Sequence, residues 1–100
     1  MAADLKTLVD FLAFSINRTS GQQPDSDYLE LLLNSAEEDV KRSGIRPTEE
    51  TTYTLVIVET ASWMYRKRLT GEPMPAFLRR MRNNLLVSQK MQEESETDAT

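Results

Sequence analysis

The sequence predicts an all-α protein, a compact bundle of four main helices with a disordered acidic tail at its C-terminus. Two observations favour this fold class. Apolar residues recur three and four positions apart along four segments, and residues typical of turns and helix caps separate those segments. One hundred residues, of which 39% are hydrophobic, suffice for one modest core. We therefore assign residues 1–90 to a single helical domain and residues 91–100 to the tail.

The first two helices are expected over about residues 4–17 and 25–43. The apolar stripe of the first comprises Leu5, Leu8, Val9, Leu12 and Ile16. Phe11 and Phe14 fall on a different side of this helix. Their rings either fold under a neighbouring loop or face a partner chain, and the pattern leaves both alternatives open. The second helix ends before Gly44, which is well placed as a left-handed closing residue.

The third helix is apolar around almost its whole circumference between residues 51 and 65, where Glu59 is the only charge. Such a helix is expected at the centre of the fold, with Leu55 among its apolar residues. A strand over residues 51–58 is the alternative, because Thr, Val, Ile and Tyr favour strands, but the apolar run is too long for one. Because an isolated buried carboxylate is costly, Glu59 requires a solvent-facing edge or an arginine partner.

The fourth helix is expected from about Ala76 to Lys90, after Pro75, a residue suited to a first helical turn. Its predicted buried stripe comprises Phe77, Leu78, Met81 and Leu85. After Met91 the chain has four acidic residues and no large apolar side chain. This composition predicts the disordered tail.

The composition excludes several classes of function. The chain has no cysteine and no histidine, which excludes disulfides, zinc sites of the Cys/His type, a thiol nucleophile and a histidine base. We therefore expect a protein that is not an enzyme and that has no catalytic, metal or cofactor site. The first apolar run is too short to span a bilayer, so no membrane association is expected.

The net charge of −4 conceals a segregation of charge along the chain. Residues 1–65 have five basic and eleven acidic groups, residues 66–90 have seven and one, and residues 91–100 have four acidic groups only. The basic segment could bind nucleic-acid phosphates, contact the acidic part of a neighbouring identical subunit, or only complement helix dipoles on a solvated face. The candidate contact residues are Phe11, Phe14, Arg66, Lys67, Arg68, Arg79, Arg80, Arg82, Leu86 and Val87.

The order of these features over roughly residues 4–85 resembles the head–tail connector (adaptor) family of tailed bacteriophages. Three motifs carry the resemblance: a Leu-rich helix from Asp25 to Gly44, an apolar helix that ends in Trp63-Met-Tyr-Arg66, and a Met74-Pro-Ala-Phe77 lead into an arginine-containing last helix. The loop over residues 18–24 is less acidic than the family leads us to expect, and the last helix and the tail continue beyond its usual end.

The resemblance implies a homo-oligomeric ring, expected as a dodecamer, that docks on the portal protein and extends the DNA channel. The ring would also receive a stopper or tail-completion protein, and no specific binding of DNA is expected. Its place would be the virion, at the head–tail interface, after assembly in the bacterial host cytoplasm. The alternatives are a small nucleic-acid-binding regulator that uses residues 66–90, and a peptide-binding adaptor that uses the face of Phe11 and Phe14.

Overall fold

The computed structural model describes residues 4–98, without the side chains of residues 19, 20 and 94–98. It contains four helices: α1 (Leu5–Ser20), α2 (Ser26–Arg42), α3 (Thr51–Thr70) and α4 (Ala76–Asp98). No strand occurs in the described residues, so the all-α prediction is confirmed and residues 51–58 are helical.

The helices run alternately up and down. The Tyr53 hydroxyl near the start of α3 donates to Glu37 Oε2 near the end of α2 at 2.8 Å, which makes these two helices antiparallel. The side chain of Gln89 in the second half of α4 is hydrogen-bonded to Arg46, in the connection between α2 and α3. Helix α4 therefore runs back along α3, and the short α1–α2 connection makes α1 parallel to α3.

Helix α3 is the centre of the fold, as its all-round apolar sequence predicts. It packs against each of the other three helices, and α1 packs against α2 as well. Tyr53, Ile57 and Ala61 of α3 are completely buried. By contrast, α1 and α4 do not form a packed pair, so the bundle is open along the side of α3 that lies between them.

The helix ends follow the local sequence. Asp4 caps α1 by accepting a hydrogen bond from the backbone N–H of Thr7 at 2.8 Å, and this bond lowers the pKa of the Asp4 carboxyl. Helix α2 ends as predicted. Gly44 has a positive φ of 104° and donates to Lys41, while Ile45 donates to Val40 and is itself buried. These two bonds satisfy carbonyls that the helix end would otherwise leave free.

The far end of α4 differs from the expectation. The apolar pattern ends the helix near Lys90 and predicts a separate tail over residues 91–100, whereas α4 continues to Asp98. The continuation is physically reasonable, because residues 91–98 are rich in Glu and Gln and contain no Gly or Pro. Residues 99 and 100 lie outside the described part of the chain.

The α3–α4 connection holds the start of α4 against α3. The indole Nε1 of Trp63 donates to the carbonyl oxygen of Glu72 at 3.2 Å. The Arg66 guanidinium lies 3.4 Å from the carboxylate of the same Glu72. Helix α4 is therefore attached through Glu72, in the connection just before its first turn, and through Gln89 in its second half.

Candidate functional site

An open groove of about 490 Å³ lies on the side of α3 that the bundle leaves uncovered. We call it the α1/α4 groove, because α1 and the first turn of α4 flank it and α3 forms its floor. It is lined by Phe11, Phe14, Ser15, Arg18, Thr51, Thr54, Leu55, Val58, Glu59, Arg66 and Phe77. Five of these eleven side chains are large and apolar, and three of the five are phenylalanines, so the groove is suited to an occupant with an apolar face.

Four large apolar side chains in the groove face water. Their exposed fractions are 53% for Phe11, 66% for Phe14, 46% for Leu55 and 50% for Phe77. With a full area on the order of 200 Å² for each such side chain, they expose together roughly 400 Å². An apolar patch of this size on a monomer is often a functional surface.

Two of these four residues correct the sequence prediction. Leu55 and Phe77 were expected in the core, and the structure places both in the groove. Leu55 is exposed because nothing in the described chain covers this side of α3. Phe77 is exposed because the next residue, Leu78, takes the inward position at the first turn of α4 and is completely buried. For Phe11 and Phe14, no described loop covers the rings.

Two charged side chains in the groove have no ionic partner within the described part of the chain. Glu59 is partly exposed, and no described residue pairs with its carboxylate, which fits the predicted solvent-facing edge. Arg18 is exposed in the last turn of α1. The third charge, Arg66, is held at 2.7 Å by Ser62 Oγ and at 3.4 Å by Glu72. An occupant could therefore pair with Arg18 and Glu59.

The basic residues of segment 66–90 do not act as one patch. Arg66 is engaged within the subunit, and so is Arg82, whose guanidinium lies 2.9 Å from Asp39 Oδ2 with only 12% of its side chain exposed. The charge of Arg82 therefore holds α4 to α2.

The other basic candidates lie at the surface. The ammonium group of Lys67 lies 4.9 Å from the ring centre of Trp63, and Arg68 stacks on Tyr28 at 5.5 Å and donates to its hydroxyl. Arg79 reaches the carbonyl oxygen of Met74 at 3.3 Å and is exposed, as is Arg80. Cation–π contacts of this kind orient a basic side chain and leave its charge accessible.

A second apolar surface lies on the outer side of α4. Val87 is 55% exposed and Met91 64%, and the polar residues Asn84 and Ser88 lie beside them on the same surface. We call these four residues the α4 ridge. Leu86, the neighbouring candidate, instead packs partly buried against the core. Sequence reasoning missed Met91, although its spacing of four from Val87 places both on one helix face.

Among the side chains that the structure describes, no group of three His, Cys, Asp or Glu residues is arranged to hold a metal ion. Of the described helices, none has the length and apolar character needed to cross a membrane. Comparison with protein-family models gives no match, and neither the curated proteins nor the solved structures compared with the chain match it.

Proposed function

We propose that the chain is a structural subunit of a homo-oligomeric ring at the head–tail interface of a tailed bacteriophage, the role that its sequence resemblance implies. The ring would dock on the portal protein, extend the DNA channel and receive a stopper or tail-completion protein. Two features of the subunit support a ring: the α1/α4 groove and the α4 ridge are different apolar surfaces on one chain. Head-to-tail contacts between identical subunits require two such surfaces.

The observation that carries this proposal is the exposure of Phe11, Phe14, Leu55 and Phe77 in one groove. Aromatic residues are enriched in the centres of protein–protein interfaces, and charged residues are depleted there. A surface that binds nucleic acid is instead dominated by lysine and arginine. The lining of the groove therefore favours a protein partner.

The charges of segment 66–90 weigh against the alternative of a nucleic-acid-binding regulator. Arg66 and Arg82 are paired with Glu72 and Asp39 inside the subunit, which leaves fewer basic groups for phosphates. A net charge of −4 also disfavours strong binding to DNA. The same acidic character suits a channel through which DNA must slide without adhering.

Native mass spectrometry and negative-stain microscopy test the proposal directly. The purified protein is examined alone and with the portal protein encoded in the same genome. We expect rings with a central channel, alone or on the portal. A protein that stays monomeric or dimeric in both preparations, and that binds duplex DNA with a steep dependence on salt, would instead be the regulator.

The electrostatic part of the ring contact is tested by reversing surface charges. We expect the double variant Arg79→Glu/Arg80→Glu to weaken ring formation at low salt, because both residues are exposed. The matched control is Lys41→Glu/Arg42→Glu in the last turn of α2, which carries the same charge change at exposed positions. Rings of equal stability in both variants would assign no role to the basic part of α4.

A further inference from the structure

We infer that the occupant of the α1/α4 groove is the C-terminal half of α4 from a second copy of this chain, seated through its α4 ridge. This inference rests on the proposed ring and names the contact that would build it. Three observations support it: the shape of the groove, the exposure of α4 around Val87 and Met91, and a match of charges between the two surfaces.

The groove has the arrangement that receives a helix. Phe11 and Phe14 of α1 lie on one side, Phe77 of α4 on the other, and Leu55 and Val58 of α3 between them. Because α1 and α4 are not packed on each other, a further helix can lie over α3 and contact both. Amphipathic helices commonly bind in apolar grooves of this kind, with anchors spaced three or four residues apart.

The groove cannot be filled by α4 of its own subunit. Phe77, in the first turn of α4, is part of the groove wall, and the helix continues from there without interruption to Asp98. The ridge residues Val87 and Met91 lie ten and fourteen positions further along, about 15 and 21 Å at 1.5 Å per residue. A continuous helix cannot return to its own first turn, so this ridge reaches a groove only in another copy.

The part of α4 that carries Met91 is exposed in the isolated subunit. Lys90, Met91 and Gln92 face water, and Glu93 reaches Arg46 at 3.4 Å through side chains that are both more than half exposed. An exposed ion pair contributes little to stability. Lys90, Met91 and Gln92 are therefore accessible to a neighbour.

The charges of the two surfaces are complementary. On the α4 side, Lys90 is exposed and is the direct neighbour of Met91. On the groove side, Glu59 has no ionic partner among the described residues, so its carboxylate can pair with Lys90 of the occupant. A charge pair of this kind would help to fix the register in which the occupant lies.

The absence of cysteine from the chain allows a direct test by cross-linking. Phe14→Cys and Met91→Cys proteins are mixed and oxidised with a diamide reagent, and the disulfide-linked pair of the two variants is quantified. We expect its yield to exceed, by about fivefold or more, that of Leu31→Cys mixed with Met91→Cys, because a specific contact raises the effective concentration of the thiols. Leu31 is a matched control, since it is an equally exposed leucine on α2. Equal yields would overturn the inference.

A second experiment separates this contact from the ring itself. Phe14→Asp removes the groove surface and Met91→Asp removes the ridge, both at mostly exposed positions, so thermal melts should confirm that both variants fold. We expect each variant alone to be monomeric and their mixture to give a 1:1 heterodimer in native mass spectrometry, because one intact surface remains on each. If both variants still form rings, the groove contact is wrong and the ring stands. If the heterodimer forms but the wild type does not bind the portal, the contact stands and the proposed function fails.

Discussion

The side-chain amide of Gln89 pairs at two points with the backbone of Arg46. Its Oε1 accepts from the Arg46 N–H at 2.8 Å, and its Nε2 donates to the Arg46 carbonyl at 2.9 Å. The Gln89 side chain is buried. The pair satisfies two polar backbone groups in the connection between α2 and α3, where no helix provides partners. A single side chain thus attaches the second half of α4 to the connection before α3.

Replacing this amide tests the attachment. Gln89→Met keeps the length of the side chain and removes both hydrogen bonds, so we expect a loss of about 2 kcal/mol in the free energy of unfolding. Urea denaturation measures the loss, and hydrogen exchange at the Arg46 amide should accelerate. The control Ser88→Ala changes the exposed neighbour and should alter stability by less than about 0.5 kcal/mol. Unchanged exchange at Arg46 in Gln89→Met would contradict this role.

Arg82 and Arg80 have different roles. Arg82 pairs with Asp39 inside the subunit, whereas Arg80 lies at the surface. Arg82→Met retains the aliphatic stem and removes the pair with Asp39, so we expect a cost of about 1 kcal/mol. Arg80→Met, at an exposed position, should cost less than about 0.5 kcal/mol. Chemical denaturation of both variants, together with Asp39→Asn and the double variant, isolates the energy of the pair. Additive effects of Arg82→Met and Asp39→Asn would show that the pair contributes nothing.

The alkaline stability of the protein should depend on Tyr53. Burial and the hydrogen bond to Glu37 raise the pKa of the Tyr53 phenol above its ordinary value of 10.0. The unfolded chain then loses this proton above pH 10 while the folded chain keeps it, so folding stability falls as the pH rises. Relative to Tyr53→Phe, the wild type should lose about 1.4 kcal/mol per pH unit above pH 10. Urea titrations of both proteins at several alkaline pH values measure the difference, and parallel curves would contradict the prediction.

Two glycines with positive φ should respond differently to alanine. Gly71→Ala adds a methyl group that meets no atom within 4 Å, so its cost is only that of a left-handed alanine, about 1 kcal/mol. Gly44→Ala combines a φ of 104° with a contact 3.4 Å from Leu86 Cδ1, and it should cost more. Thermal melts of both variants provide the comparison. A larger loss of thermal stability in Gly71→Ala than in Gly44→Ala would contradict the role given to the close approach of Leu86 to Gly44.

The sequence alone predicts the four helices well, because the spacing of apolar residues and the capping residues are local properties. It does not show which apolar faces a neighbouring helix covers, since that depends on how the helices pack. Leu55 and Phe77 illustrate the difficulty: both belong to apolar segments, and both are exposed in the groove. The uncovered side of the bundle arises because α1 and α4 do not form a packed pair.

The role of Gln89 is not predicted from the sequence, for a different reason. A glutamine in a helix normally indicates a solvent-facing position. Its spacing of four from the buried Leu85 places it on the inward stripe, and this was the available signal. The ion pairs of Arg66 and Arg82 within the subunit were not predicted either. Their acidic partners come from the α3–α4 connection and from α2, respectively. Long-range pairs of this kind are fixed by the tertiary structure.

The attachment of α4 at Glu72 and Gln89 has a thermodynamic consequence. Helix α4 packs mainly on α3, whereas α1, α2 and α3 pack on one another, so α4 is the element expected to open first in a partial unfolding event. In the contact that we infer, each α4 forms one wall of the groove in its own subunit and also occupies the groove of the neighbouring subunit. Opening α4 would then remove two contacts at once. Assembly would therefore slow hydrogen exchange in α4 more than in α3, since subunit binding and the closure of this helix are linked equilibria.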